Sequence, residues 1–386
     1  MSRPLNKTPF RRALIFIPIL LGVIFFLTRP TNSPPLLKTP APSSGSNLAE
    51  LGLPPDWSQL DRFQNTLSRS TFLSRLETIY TKDDSWTEWI TFDPSGKEVS
   101  LGPTALTFSK EDRPAPGAIY SWKTREDLAP DRPLPLSGLK IALDPGHIGG
   151  DYAAIEEREY RWGNTLIQEG TMTLRTAEFL VPLLKKLGAS VTLIRTKLEP
   201  VTGKKADDFG DPRLFYRTSE IRARANLVNE SIQPDLVLCL HFNGSASKIP
   251  ELAQHFHLIL NGTYTASELA HEDERFQMLQ RLLSGTITEE LPLAREIAGA
   301  FNDLVDLPAY RYPANSPTSQ MLANHPNIWG RNLLANRLYQ CPVIFLEPYV
   351  MNSLPFIARF RRNPEDLYRE YARAVAEGLL RYYSQS

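Results

Sequence analysis

The chain opens with a basic stretch that leads into an uninterrupted apolar segment. Residues 1–12 contain four basic and no acidic side chains, and the apolar segment runs from residue 13 to residue 27. A basic start followed by an apolar run is typical of an export signal. We predict that residues 1–30 form a signal or signal-anchor segment. Because no clean small-residue cleavage site follows the run, an uncleaved membrane anchor is favoured over a cleaved signal peptide.

The next two segments differ sharply in pattern. Residues 31–56 are rich in proline, serine and threonine, which predicts a flexible linker. Apolar residues then recur at helical spacing through residues 57–80, and two alternating runs at 86–92 and 97–101 predict a β-hairpin. Residues 57–135 are therefore predicted to form a small accessory α+β region, which a proline-rich stretch ends near residue 135.

From residue 136 onward, short apolar runs alternate with stretches of helical periodicity. A strand ending near residue 147 is followed by a helix that begins at about Glu169, ends at Gly188 and leads into a strand at 191–195. This alternation predicts an α/β domain over residues 136–386, with a mainly parallel twisted sheet flanked by helices. Further strands are predicted at 235–241, 255–260 and 341–347, and further helices at 215–229, 267–283, 289–304 and 365–383.

Composition narrows the classes of function. Lysine plus arginine and aspartate plus glutamate both total 43, so the chain has no net charge that would favour nucleic acid, and we predict no nucleic-acid partner. A hydrophobic content of 42% suits a globular protein with a full core. The two cysteines, Cys239 and Cys341, lie in apolar runs and are predicted to be buried free thiols, with a single bridge left open if their strands are neighbours.

Four side chains of chemical interest fall at the ends of these elements. His147, His241 and Glu347 each end a predicted strand, and Glu169 begins the helix after the first strand. Strand ends in a parallel sheet open onto the same edge, so we expect the four residues to lie close together. His147 on its own would have an ordinary explanation as a loop histidine.

Together these residue types indicate metal chemistry. Two imidazoles and one carboxylate form a ligand set of catalytic Zn²⁺, which keeps its fourth position for water. Glu347 is then left free to take a proton from that water and pass it to a leaving amine. The residues therefore predict a metal hydrolase.

At these residues the chain resembles the zinc-dependent N-acetylmuramoyl-L-alanine amidases, a family of bacterial cell-wall hydrolases. The motif at 144–151 is similar to the opening motif of the family, and Glu169 with its following helix is similar to the second-ligand segment. Residues 235–243 resemble the third-ligand strand, and 345–353 resemble the terminal strand with the catalytic glutamate. The resemblance covers about residues 139–353, with the motifs in the expected order and spacing.

The resemblance implies roles for all four residues. His147, Glu169 and His241 would bind Zn²⁺, and Glu347 would act as the catalytic general base. The substrate would be peptidoglycan, cleaved at the amide between the lactyl group of N-acetylmuramic acid and L-alanine. An exported amidase would act in the cell envelope, in the periplasm or at the extracytoplasmic face, anchored by residues 13–27.

An acidic helix predicted at residues 267–283 bears on regulation. In some amidases of the family an inserted helix covers the zinc and is displaced by an activator protein, so an autoinhibitory lid is one hypothesis for this helix, although the sequence favours the alternative that follows. The alternative is that its acidic residues only complement the positive N-terminal end of the helix.

Several neighbouring residues complicate the assignment. Glu156, Glu157 and Glu159 also follow the first strand, but we assign the ligand role to Glu169 because the expected helix follows it. Asp144 is expected either to orient a ligand or to cap its own turn.

Two further sequence features concern the surroundings of the predicted site. Pro348 and Tyr349 stand where the family usually has small residues, which would reshape the substrate groove. His255 and His257 alternate on a strand, and we expect them on a solvated or half-buried face rather than at a second metal site.

Two other functions are compatible with the same residues. A zinc peptidase or deacylase acting on another envelope amide would use the same ligand set. A non-catalytic peptidoglycan-binding scaffold is the second alternative, although the intact Glu347 argues against it.

Overall fold

The computed structural model describes residues 54–115, 121–245 and 250–385. The predicted signal anchor at 1–30 and nearly all of the predicted linker at 31–56 lie outside the described residues. Within the described part of the chain, no helix has the length and apolar character needed to cross a membrane.

Twelve strands, numbered in chain order, form three sheets in the described residues. They are β1 (Thr91–Phe92), β2 (Glu98–Ser100), β3 (Ala105–Thr107), β4 (Lys140–Pro145), β5 (Glu159–Trp162), β6 (Thr165–Gln168), β7 (Ser190–Leu193), β8 (Leu236–Leu240), β9 (Phe256–Leu260), β10 (Gln320–Met321), β11 (Ile328–Gly330) and β12 (Val343–Pro348). The central sheet has seven strands in the order β10-β11-β9-β12-β8-β4-β7.

The central sheet is mixed: four of its six strand pairs are parallel, in keeping with the expected mainly parallel sheet, and two are antiparallel. Strands β7, β4, β8 and β12 are parallel neighbours, but β9 runs antiparallel to β12 and β10 runs antiparallel to β11. A parallel crossover normally carries a helix, and the described residues of the connection from β8 to β9 contain none. The sequence showed the strand β9 but not its direction.

Helices cover both faces of this sheet. The α-helices of the described residues are α1 (Arg69–Arg75), α2 (Glu169–Lys186), α3 (Ile221–Asn226), α4 (Ala266–Leu269), α5 (Glu272–Ser284), α6 (Ile287–Leu304), α7 (Leu334–Arg337), α8 (Leu354–Arg362) and α9 (Pro364–Ser384). On one face α9 packs between α2 and α6. On the other face Ala225 of α3 belongs to a second buried cluster with Val237 and Val343 of the strands. The α/β fold predicted from the alternating pattern is confirmed.

The helix α2 follows its prediction closely. It begins at Glu169, and Gly188 beyond its end has a φ of 103°, a left-handed conformation that suits glycine after a helix. Leu174, Ala177, Leu180 and Leu184 are all buried, as the periodicity predicts.

The accessory region contains more sheet than the sequence indicated. Strands β1, β2 and β3 form a three-stranded antiparallel sheet, so the predicted hairpin is present with one strand added. Phe72 of α1 packs its ring against Phe92 and Phe108, at centroid distances of 6.0 and 5.5 Å. These aromatic rings bury the face of the small sheet.

The accessory region and the α/β domain share one hydrophobic core. Phe72 and Val99 belong to the same buried cluster as Leu238 and Leu258 of the central sheet. The described residues from 54 onward form one compact unit.

Backbone contacts fix the accessory region to the loop that follows β9. The amides of Thr263 and Tyr264 donate to the carbonyls of Ile79 and Tyr80, over 2.9 and 2.7 Å. A Cβ atom on Gly262 would lie 2.4 Å from the Ile79 carbonyl oxygen. The close approach of the two segments therefore requires glycine at residue 262.

The segment predicted as a lid helix consists of α4 and α5, which are separated at residues 270–271. The Trp57 indole donates to Glu272 over 2.7 Å, and the Trp57 ring packs against Phe276. Asp273 forms an ion pair with Arg222 at 3.6 Å, and Glu274 forms one with Arg337 at 2.7 Å. The acidic first turn of α5 is thus occupied by contacts to other elements.

Cys239 and Cys341 are both buried and are not joined in a disulfide, as expected for buried thiols.

Candidate metal centre and its cavity

His147 is held in place by an unusual backbone turn after β4. Its φ is 57°, its amide donates to the Tyr216 hydroxyl over 3.1 Å, and its ring stacks on that of Tyr216 at 4.5 Å. A Cβ atom on Gly146 would lie 2.2 Å from the His241 ring, so glycine is needed at this position. The turn brings the His147 ring to 5.1 Å from the ring of His241.

A buried arginine supports this turn from below. Arg224 donates to the backbone carbonyls of Pro145 and His147, each over 2.9 Å, and to the carboxylates of Asp144 and Glu220, over 2.9 and 2.7 Å. Asp144 also accepts a hydrogen bond from the Tyr339 hydroxyl over 2.6 Å. Asp144 thus reaches the turn through Arg224.

Glu169, the first residue of α2, places its carboxylate between the two histidines. One oxygen lies 3.0 Å from Nδ1 of His241 and accepts from the Phe242 amide over 3.1 Å. The other lies 3.4 Å from Nε2 of His147. The convergence expected for these three residues is present.

These three side chains form a buried group that fits a metal ion. One potential ligand atom from each of His147, Glu169 and His241 lies within 4.8 Å of the others. Burial would raise the pKa of Glu169, but the imidazoles of His147 and His241 outweigh burial and lower that pKa to about 2. Burial lowers the pKa of His147 well below its ordinary value, which favours the neutral ring that a metal requires.

Glu156 lies behind His147 and was not recognised from the sequence as a supporting residue. Its carboxylate accepts from the amides of Ile148 and Gly149, the shortest bond being 2.8 Å, and one oxygen lies 3.5 Å from Nδ1 of His147. Glu157, the adjacent residue, is exposed and pairs with Arg217 instead. Of the glutamates that follow the first strand, Glu169 alone lies between the two histidines.

Glu347 projects from β12 into a cavity of about 850 Å³ that His147, Glu169 and His241 also line. Burial raises the pKa of Glu347 to about 7; His241 opposes this rise and Glu169 adds to it. A carboxyl group with such a pKa can exchange protons near neutral pH. The fourth residue expected at the edge of the sheet is therefore present in the same cavity.

His257 contributes to another wall of this cavity. It is buried, with 2% of its surface exposed, and its Nε2 lies 3.2 Å from the Tyr312 hydroxyl. His255 is half-buried, and both rings contact Tyr310, at 4.4 Å for His255 and 4.8 Å for His257. The pair is thus packed against tyrosine rings, and His257 is more deeply buried than the sequence suggested.

The predicted lid helix lies away from the cavity. The cavity is lined by segments from the turn after β4, the β5–β6 hairpin, the ends of β8 and β12, and the 310–312 and 331–335 loops. No residue of α4 or α5 is among its lining residues. A lid role would therefore require α5 to leave its contacts with Trp57, Arg222 and Arg337.

Comparison with known proteins places this geometry in a family. The family model described as N-acetylmuramoyl-L-alanine amidase matches residues 141–352, which is more than half of the chain. The chain belongs to this amidase family. The matched range includes His147, Glu169, His241 and Glu347.

The chain shares sequence with a staphylococcal relative. It is 37% identical over 110 residues to a protein named probable cell wall amidase LytH from Staphylococcus aureus, a match that covers 28% of this chain and 36% of the relative. The chain thus matches about a third of the length of this curated relative.

Solved amidase structures show more distant likeness. One is the CwlD amidase from Clostridioides difficile, solved in complex with the GerS lipoprotein. It is 13% identical to this chain with a TM-score of 0.44, and the match covers 64% of this chain and 99% of that chain. The Ami1 amidase from Mycobacterium smegmatis is 17% identical with a TM-score of 0.42, covering 65% and 99%.

The sequence did not indicate the supporting roles of Glu156 and Arg224. Glu156 stands in a run of glutamates, and nothing in the run distinguishes the buried carboxylate from its exposed neighbours. Arg224 carries a weak signal, because Glu220 precedes it by four residues and the two side chains share a helix face.

Proposed function

We propose that this protein is a zinc-dependent N-acetylmuramoyl-L-alanine amidase that cleaves the amide between the lactyl group of N-acetylmuramic acid and L-alanine. The observation that carries the proposal is the buried group of His147, Glu169 and His241 beside Glu347 in one cavity. Membership of the amidase family supports the choice of substrate.

The three proposed ligands suit zinc. Two histidine nitrogens and one carboxylate are the donors of many catalytic zinc sites, which leave a position open for water or substrate. Bound zinc would polarise the amide carbonyl and lower the pKa of water held beside it. Glu156 and Arg224 would keep His147 in the orientation that metal binding needs, since they hold the backbone of its turn.

Glu347 is proposed as the general base and then the general acid. In its ionised form the carboxylate would take a proton from the attacking water, and in its protonated form it would return that proton to the departing amine of L-alanine. Its raised pKa, about 7, suits both transfers near neutral pH.

The proposal places the protein in the cell envelope. Residues 13–27 would anchor it, and the linker at 31–56 would let the folded part reach peptidoglycan. An activator protein remains a prediction, and in this structure it would have to act on α5 while that helix is packed against the accessory region.

The test is digestion of purified peptidoglycan sacculi by the zinc-loaded protein, followed by mass spectrometry of the products. We expect free stem peptides that begin with L-alanine. We expect Glu347→Gln to lower the rate by about 100-fold or more while zinc content stays unchanged. Glu199→Gln, at an exposed residue outside the cavity lining, is the matched control and should digest as the wild type does.

Two other outcomes would contradict the proposal. Products cut inside the stem peptide would identify a peptidase. Wild-type protein that binds sacculi and releases nothing, with zinc bound and with candidate activators added, would identify a scaffold.

A further inference from the structure

The cavity extends from the metal-binding group along one face of the central sheet. In the antiparallel pair of β12 and β9, Glu347 lies opposite His257 and Phe345 lies opposite Ile259. Residues two apart on a strand point to the same face, so these four side chains share it, and all four line the cavity. The wall formed by β9 therefore begins directly beside the proposed base.

The positively charged side chain of Arg331 lies at this wall of the cavity. Arg331 follows β11, is half-buried and lines the cavity, and its Nη1 donates to the Tyr312 hydroxyl over 3.3 Å. Among the described residues, no carboxylate lies within 4.0 Å of its guanidinium to form an ion pair. Arg331 is near enough to Glu347 to contribute to lowering the pKa of that carboxyl, against the larger effect of burial.

Aromatic rings hold this arginine in place. The guanidinium of Arg331 lies 5.8 Å from the centre of the Tyr312 ring, and Tyr312 packs against Trp329 at 5.0 Å and against Tyr310 at 4.8 Å. The Tyr312 hydroxyl lies 3.2 Å from Nε2 of His257, so it is fixed from both sides. A half-buried guanidinium held in this way loses little side-chain entropy when it binds an anion.

We propose that Arg331, oriented by Tyr312, binds a carboxylate of the stem peptide beyond L-alanine and so selects peptides in which that carboxylate is free rather than amidated. This inference rests on the proposed function, because it places the scissile amide at Glu347. A guanidinium binds a carboxylate through two parallel hydrogen bonds, and a neutral carboxamide offers one acceptor oxygen and no charge. The contact discriminates between the two forms of the peptide.

The test measures binding separately from hydrolysis. The probes are N-acetylmuramoyl-L-alanyl-D-isoglutamate and the corresponding D-isoglutamine compound, each with its γ-carboxyl group blocked as the methylamide so that the two differ only at the α-carboxyl group. They are titrated calorimetrically into the zinc-loaded Glu347→Gln protein. We expect the free carboxylate to bind at least about 10-fold more tightly, as for a hydrogen-bonded charged pair. Adding Arg331→Met should remove this preference, and adding Tyr312→Phe should reduce it.

Two variants serve as controls. Arg331→Lys keeps the charge without the planar fork, so it should retain only part of the preference. Arg311→Met removes an exposed arginine that is absent from the cavity lining, and it should leave the preference unchanged.

The outcomes separate this inference from the proposed function. Equal binding of the two probes, or a preference that survives Arg331→Met, overturns the inference even when the wild type digests sacculi as an amidase. A preference that depends on Arg331, in a protein that cleaves neither probe in its wild-type form, supports the inference and counts against the proposed hydrolysis. An arginine acting only through Glu347 would change the cleavage rates of both probes equally, which also contradicts selection.

Discussion

Glu156 and Glu169 reach His147 from its two ring nitrogens, and the Glu156 contact is the less obvious one. A Glu156 oxygen lies 3.5 Å from Nδ1 of His147, whereas a Glu169 oxygen lies 3.4 Å from Nε2. Glu156 also accepts from the amides of Ile148 and Gly149. One carboxylate therefore fixes the backbone that follows His147 and lies close to the His147 ring.

This contact predicts a metal-binding defect at a residue that is not itself a proposed ligand. Glu156→Gln should weaken zinc binding by about 10- to 100-fold, because residues that orient a metal-binding histidine typically contribute that much to affinity. Competition with a chromogenic chelator measures the change. Glu157→Gln, at the exposed neighbour, should bind zinc as the wild type does, and equal affinity in the two variants would show that Glu156 does not orient His147.

Arg224 predicts a large effect on stability. Its side chain is 2% exposed, and replacement by methionine would leave the buried carboxylates of Asp144 and Glu220 without their cation. We expect Arg224→Met to lower the free energy of unfolding by about 3–5 kcal/mol in urea titrations.

A control for Arg224 lies two residues away. Arg222 is partly exposed and pairs with Asp273 at 3.6 Å, so Arg222→Met should cost about 1 kcal/mol or less. Similar losses in the two variants would mean that the buried network does not support the turn at His147.

His257 predicts a loss of stability in acid. Burial, together with the charges of His255 and Arg331, lowers the pKa of His257 from 6.5 to about 3. The unfolded chain therefore takes up a proton at this residue below about pH 6.5 and the folded protein does not, so stability falls as pH decreases through this range. At pH 5 the contribution of this residue amounts to about 2 kcal/mol.

Unfolding in urea at pH 7.5 and pH 5 measures this effect. The drop in stability between the two pH values should be about 2 kcal/mol smaller in His257→Gln than in the wild type. His271→Gln, at an exposed histidine, should show the same drop as the wild type. An unchanged drop in His257→Gln would show that His257 titrates normally in the folded protein.

The close contact at Gly262 predicts that a larger side chain there would lower stability, because it would push the accessory region away from the loop after β9. A Cβ atom at this position would meet the Ile79 carbonyl oxygen at 2.4 Å, so Gly262→Ala should lower stability by about 1–3 kcal/mol in urea unfolding. Gly203→Ala adds a methyl group with no described atom within 4 Å, and its stability should be close to that of the wild type. Equal stability of the two variants would mean that the segments separate at little cost.

The sequence predicted those elements whose cause lies within the same short segment as their residue pattern. Helix α2 could be placed from Glu169 to Gly188 because periodicity and a C-terminal glycine act within one segment. His147, His241 and Glu347 could be brought together because β4, β8 and β12 are parallel neighbours, and for these strands the rule about shared sheet edges holds.

The rest depended on distant contacts that no local pattern records. The direction of β9 is set by its pairing with β12, and the β5–β6 hairpin lies between residue 147 and Glu169, where the sequence predicted no strand. Arg331 joins the cavity through Tyr312, a residue in a separate loop. Such residues carry no signal of burial in their own neighbourhood, because the groups that bury them come from other parts of the chain.

The core shared by the accessory region and the central sheet has a consequence for dissecting the protein. A fragment that began at residue 136 would expose the apolar surfaces that Tyr80, Phe72 and Leu76 now cover, and it would be prone to aggregate. A protease that cut the chain near residue 135 would nick it without releasing either piece, since the two pieces would stay associated as the halves of one cooperative folding unit.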